Sequence, residues 1–127
     1  MKEVIHTCKA PAAVGPYSQA IGTGGLIFIS GQIPFTPEGE RIEGGIKEET
    51  IQVLENLKAV VEEAGVSLGH VVKTTVYLKS MKNFADVNEI YGQYFSENFP
   101  ARVCVEVSAL PKGVNVEIDA IAVRKIR

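Results

Sequence analysis

Two alternating stretches near the C-terminus carry the side chains of this chain that are best suited to chemistry. In residues 101–107, Arg102 and Cys104 fall on the same face of a predicted strand. In residues 114–123, Glu117 falls on one face of a second predicted strand. A guanidinium can bind a carboxylate through two parallel hydrogen bonds, and a nearby carboxylate can accept and return a proton. These residue types therefore suit a site that binds a small anionic ligand and moves protons.

The short connection at residues 108–113 predicts that the two strands form a hairpin. In that register Cys104 lies opposite Glu117, and Arg102 lies opposite Asp119. The register would bring the guanidinium, the thiol and both carboxylates to one face of the sheet. Opposite charges that face each other across two strands also often form a structural ion pair, so that alternative stays open.

The remaining segments predict an α+β domain that spans residues 1–127 in the order β-β-β-α-β-α-β-β. Apolar residues recur at spacings of three and four in the helical segments, and they alternate in the strands. Besides the two C-terminal strands, the patterns predict strands over residues 3–6, 17–21, 26–30 and 71–78 and helices over residues 46–64 and 82–95. Right-handed strand–helix–strand crossovers would place these strands in a mixed six-stranded sheet.

Two helices can cover only one face of such a sheet. The other face is predicted to carry valine, isoleucine and alanine side chains together with Tyr77, Arg102 and Glu117. A face of that apolar content favours burial against another surface. We therefore expect a homo-oligomer with pockets between its subunits.

Composition and charge argue against several other classes of protein. The formal net charge is −2, so a basic surface for nucleic acid or for an anionic membrane is not expected. Apolar runs are far shorter than a bilayer span requires, and the N-terminus lacks a signal-peptide pattern, which predicts a cytoplasmic protein. Cys8 and Cys104 are then expected to be reduced. His6 and His70 lack metal-ligand spacing, so no metal site is expected.

Several segments of the chain resemble the Rid family, also called the YjgF family, in its reactive-intermediate deaminase branch. The matching segments are residues 10–19 (APAAVGPYSQ), 30–34 (SGQIP), 87–88 (VN), 100–107 (PARVCVEV), 110–111 (LP) and 116–118 (VEI). Their order and spacing run over nearly the whole chain. The resemblance implies a chorismate-mutase-like fold of the bacillus type, with two helices on one face of the sheet. It also implies a homotrimer with three clefts between subunits.

The same resemblance implies an activity and a set of site residues. The activity is hydrolysis of 2-imino or 2-enamino acids, such as 2-iminobutanoate and 2-iminopropanoate, to 2-keto acids and ammonia. These short-lived compounds are products of pyridoxal-phosphate enzymes, and their hydrolysis is expected to need neither metal nor cofactor. By position, Arg102 is the ligand arginine and Glu117 the catalytic glutamate. The implied substrate-binding positions are Tyr17, Ser30, Gly31, Asn88, Arg102 and Cys104.

Two other functions fit the same residues. A regulatory protein could sense small carboxylates through Arg102 without turnover, although Glu117 beside the ligand would weaken that binding. A translation inhibitor or endoribonuclease is the other alternative, which the acidic composition disfavours. Cys104 has no histidine partner in the pattern, so it is interpreted as lining a pocket rather than as a nucleophile.

Overall fold

The alternating segments form one mixed six-stranded sheet, and the two helical segments pack on it, which confirms the predicted α+β fold. The computed structural model describes residues 1–124. The strands are β1 (Lys2–Ile5), β2 (Ala20–Thr23), β3 (Leu26–Gln32), β4 (Val71–Leu78), β5 (Ala101–Glu106) and β6 (Val116–Val123), and the helices are α1 (Ile46–Glu63) and α2 (Phe84–Tyr94). The predicted order of elements is therefore correct, with most bounds displaced by one to three residues.

The strands lie in the order β1-β2-β3-β6-β4-β5. Strand β5 runs parallel to β4, as the crossover through α2 requires, and the other neighbours are antiparallel. The predicted hairpin between β5 and β6 is wrong, because β4 lies between them. The inward side chains of β6 are buried, whereas β5 is exposed along most of its length. A strand with a buried apolar face occupies the sheet centre, and the exposed strand takes the edge.

The core lies between the sheet and the helical layer. One stripe of α1 buries Val53, Leu57 and Val60, which are all 0% exposed, and these pack in the same cluster as Ile27 and Ile118. Burying a side chain of this size contributes about 1.5–3 kcal/mol relative to leaving it exposed. This packing keeps the central strands rigid, and it is their ends and edges that carry the candidate site.

None of the described residues forms a helix on the opposite face of the sheet. Phe28, Val103 and Val105 lie on that face and are 43%, 46% and 37% exposed. Apolar side chains are therefore spread across the open face, as the sequence predicted. Arg102, which was expected among them, lies on the helical face instead. Within residues 1–124, no helix has the length and apolar character needed to cross a membrane.

Candidate active site

Arg102 is held in place by helix α2. It pairs in register with Thr74 of β4, whose hydroxyl lies 2.6 Å from the Tyr91 hydroxyl, so both residues face the helical layer. The Arg102 Nη1 atom donates to Asn88 Oδ1 at 2.7 Å. The guanidinium carbon lies 4.9 Å from the ring centroid of Tyr91 and 5.6 Å from that of Phe84, within cation–π range. An arginine side chain has five N–H donors, so Asn88 occupies only part of the group.

The guanidinium borders a cavity of about 350 Å³. Asn88, Tyr91 and Phe99 line it together with Arg102, and Phe99 is 63% exposed. A charged group backed by aromatic rings and open on one side can bind a small carboxylate with two parallel hydrogen bonds. This cavity is the anion-binding half of the candidate site.

Cys104 lies two residues along β5 from Arg102 and pairs with Val76. Its side chain is partly buried against the core. Burial raises the pKa of the Cys104 thiol, and the charge of Arg102 opposes that rise only in part. The thiol is therefore protonated near neutral pH, which does not suit a nucleophile.

Glu117 lies on the other face of the sheet from Arg102. It pairs with Tyr77 of β4, and Tyr77 and Thr74 are an odd number of residues apart, so their side chains point to opposite faces. The predicted meeting of Arg102 and Glu117 across adjacent strands of one chain is thus wrong. Alternation assigned each strand's faces correctly, but it carried no information on the position of β4 between them.

The Glu117 carboxylate lies over Gly31. Strand β3 has an irregular register between Ile29 and Gln32, so the chain bulges at Ser30 and Gly31. A Cβ atom at Gly31 would overlap the carboxylate and would lie 2.8 Å from Glu117 Cδ. Glycine at this position therefore provides the space in which the carboxylate sits. Next to it, Ser30 Oγ donates to the Ser18 carbonyl at 2.6 Å and ties β3 to the preceding loop.

The surroundings of Glu117 make it a better proton acceptor than an ordinary glutamate. Burial raises its pKa, and the negative charge of Asp119 raises the pKa further. Asp119 is itself oriented, because the Tyr77 hydroxyl donates to its Oδ2 atom at 3.0 Å. The sequence indicated Asp119 as a partner of Arg102, whereas its contact is with Tyr77.

The predicted site residues thus divide into two groups on opposite faces of the sheet. Arg102, Asn88 and Cys104 lie on the helical face, and Glu117 lies over Gly31 on the open face. Tyr17, which is 52% exposed, and Gly31 line a second cavity of about 320 Å³. In the part of the chain that the structure describes, no three histidine, cysteine or acidic side chains cluster as metal ligands.

Sequence reasoning missed the two aromatic residues beside Arg102. Phe84 and Tyr91 belong to the apolar stripe of α2, and such a stripe by itself predicts only packing. With Asn88 they follow a spacing of four and three residues, which places all three on one face of a helix. That spacing was the signal that could have identified them as the neighbours of a ligand on this helix face.

Known proteins match the chain over nearly its full length. The family model described as Endoribonuclease L-PSP matches residues 7–124. A RutC family protein of Pyrococcus abyssi is 59% identical over 125 residues, which is 98% of each chain. TdcF of Escherichia coli K12, whose provisional name is reactive intermediate deaminase, is 45% identical over 127 residues and 98% of each chain.

Solved structures have the same fold. The crystal structure of a Thermotoga maritima protein, provisionally described as an endoribonuclease, has a TM-score of 0.97 at 53% identity and covers 99% of this chain and 100% of its own. The crystal structure of Escherichia coli TdcF with bound serine has a TM-score of 0.93 at 44% identity and covers 97% of this chain and 99% of its own. The chain therefore belongs to the Endoribonuclease L-PSP family, which also carries the names YjgF and Rid.

Proposed function

We propose that this protein hydrolyses short-lived 2-imino acids, such as 2-iminobutanoate and 2-iminopropanoate, to 2-keto acids and ammonia. The observation that carries the proposal is the Arg102 guanidinium, oriented by Asn88 and backed by Tyr91, at the edge of an open cavity. It provides the carboxylate recognition that every 2-imino acid requires. The reactive intermediate deaminase name of TdcF, and the serine bound in its structure, agree with a small amino-acid-like ligand.

Arg102 and Glu117 would have separate roles in the reaction. Arg102 binds the substrate carboxylate and thereby fixes the position of the adjacent imine carbon. Glu117 takes a proton from water as the water oxygen bonds to that carbon, and it then gives the proton to the nitrogen. The same carboxylate then transfers the hydroxyl proton to the nitrogen, the carbon–nitrogen bond breaks, and the keto acid and ammonia are released. One carboxylate with a raised pKa suits both proton transfers.

The two groups would meet between copies of the chain. Within one chain they face opposite sides of the sheet, so a single molecule cannot place both on one small substrate. The exposed apolar residues on the open face, among them Val103 and Val105, favour self-association through that face. A homotrimer of this kind would have three clefts, each with Arg102 from one subunit and Glu117 from its neighbour. The substrates would come from pyridoxal-phosphate dehydratases.

The function is tested by coupling the protein to a threonine dehydratase that releases 2-iminobutanoate. We expect 2-ketobutanoate to form faster when the protein is present, with semicarbazide competing for the imine. Glu117→Gln should bind 2-ketobutanoate but give no acceleration. Binding without acceleration by the wild-type protein would instead indicate a carboxylate sensor. Cleavage of RNA by the purified protein would indicate the endoribonuclease alternative.

The pH dependence of this activity should reflect the protonation of Glu117. A base must be unprotonated, so kcat/KM is expected to fall as pH decreases through the raised pKa of Glu117, above the ordinary glutamate value of about 4.3. Asp119→Asn removes a negative neighbour, which lowers the pKa of Glu117 and moves this decline to lower pH. The measurement is kcat/KM between pH 4 and pH 8 with the imine-forming enzyme in excess.

Glu63→Gln at the exposed end of α1 is a control for the loss of one negative charge. It should leave the pH at which activity declines unchanged, because Glu63 lines neither cavity of the candidate site. If activity declines at the same pH in Asp119→Asn as in the wild type, Asp119 does not influence the pKa of the catalytic group.

A further inference from the structure

The cavity of about 320 Å³ shares one wall residue with the surroundings of the Glu117 carboxylate. Gly31, over which that carboxylate lies, forms part of its wall. Tyr17 is a second wall residue that also belongs to the predicted site. The shared residue Gly31 places a wall of this cavity next to the group that would act on the substrate.

The lining of the cavity is suited to an uncharged, apolar group. Its apolar wall residues are Pro11, Ala12, Val14, Tyr17, Ile33, Phe35 and Pro37. Two charged residues also border it, Glu38 and Lys112, and their charges have opposite signs. The cavity thus has no net charge with which to select an ionic side chain.

A buried amide holds one wall in place. Gln19 is 3% exposed, and its Oε1 atom accepts a hydrogen bond from the Thr7 backbone N–H at 2.7 Å. Its Nε2 atom donates to the carbonyl oxygens of Thr7 at 3.1 Å, of Ala10 at 3.4 Å and of Pro11 at 2.8 Å. These four contacts fix the loop that carries Pro11 and Ala12.

A second buried amide holds the facing wall. Asn56 of α1 is 1% exposed, and its Nδ2 atom donates to the Ile33 carbonyl at 3.1 Å and to the Phe35 carbonyl at 2.9 Å. Both walls are thus anchored before any ligand arrives. A preformed apolar cavity loses little conformational entropy on binding, so its burial of a ligand contributes to affinity.

We propose that this cavity receives the substrate's side chain and makes the enzyme prefer 2-imino acids with longer apolar side chains. The inference rests on the proposed function, because Glu117 must act on the carbon next to the carboxylate. A methyl or ethyl side chain would leave most of the volume unfilled. Each additional buried methylene should raise kcat/KM by about fourfold, from about 0.8 kcal/mol per methylene.

The test compares imines generated in place from alanine and from leucine by an amino acid oxidase. For the wild-type protein we expect kcat/KM at least tenfold higher for the leucine-derived imine. Ala12→Phe places a ring at an exposed position of the cavity wall, and it should lower the leucine-to-alanine ratio at least tenfold. Ala85→Phe, the same change at an exposed position on α2, should leave the ratio unchanged.

Two further measurements test the same inference. Val14→Phe fills the same cavity from a residue that is 82% exposed, so it tests the effect if Ala12→Phe does not fold. Calorimetric titration of wild-type protein should show tighter binding of 4-methyl-2-oxopentanoate than of pyruvate, independently of turnover. Equal kcat/KM for the two imines, or an unchanged ratio in folded cavity variants, would overturn the inference. Absence of activity on both imines would instead overturn the proposed function.

Discussion

Replacing Arg102 with lysine is expected to lower kcat/KM for 2-imino acids by about a hundredfold, the loss that a displacement of about 1 Å at the reacting atoms can cause. Lysine keeps the positive charge but binds a carboxylate as a point charge, without the planar pair of donors. It also loses the guanidinium that hydrogen-bonds to Asn88 and lies in cation–π contact with Tyr91. The substrate carboxylate would be held loosely, and the imine carbon would no longer stay within reach of the base.

The same variant should remain folded. Arg102 is exposed on edge strand β5, and the apolar core does not depend on it. We expect its melting temperature and oligomeric state to match the wild type within a few degrees, with the loss in kcat/KM measured in the dehydratase-coupled assay. Arg124→Lys is the matched control, because Arg124 pairs with Glu3 near the opposite edge of the sheet. Activity of Arg102→Lys within threefold of wild type would exclude Arg102 as the carboxylate-binding group.

Local periodicity was sufficient to predict the elements of this fold. The predicted strand over residues 71–78 coincides with β4, and the predicted helix over residues 46–64 ends one residue beyond α1. These elements have apolar side chains at regular spacing and little competition from local turn formation. The order of strands in the sheet is a different kind of information. The order depends on which strand has the most buried face. The alternation within one strand does not show how its burial compares with that of the other strands.

The sequence did not predict how the candidate site residues are arranged. The resemblance indicated Arg102, Glu117 and Gly31, and the structure places Arg102 beside one cavity and Gly31 beside another, under the Glu117 carboxylate. The resemblance did not predict the bulge at Ser30 and Gly31, because an extra residue in a strand leaves the surrounding alternation almost unchanged. The sequence also did not show that β4 separates the two charged groups.

That separation restricts where catalysis can take place. Strand β4 contributes Thr74 beside Arg102 on one face and Tyr77 beside Glu117 on the other. The thickness of the sheet therefore lies between the groups that must act on one small molecule. Either one of the two residues is not catalytic, or the reaction needs two copies of the chain. An experiment that mixes two inactive variants can distinguish these cases.

Arg102→Lys and Glu117→Gln, each nearly inactive alone, are expected to recover activity when they are unfolded together and refolded. In the proposed ring of identical subunits, each site would take Arg102 from one chain and Glu117 from its neighbour. Random assembly of equal amounts places an intact arginine next to an intact glutamate in about a quarter of the sites, so we expect about a quarter of wild-type activity. The measurement is the coupled assay on mixtures whose mixed oligomers are verified by native mass spectrometry.

A second mixture controls for recovery by refolding alone. Arg102→Lys combined with a chain that carries both substitutions forms no site with an intact arginine, so its activity should stay at the level of the single variant. If verified mixed oligomers of the two single variants also stay inactive, the two groups do not act together across a subunit boundary. Since β4 keeps them apart within one chain, that result would leave Glu117 without a route to a substrate bound by Arg102, and another proton acceptor would have to lie on the helical face.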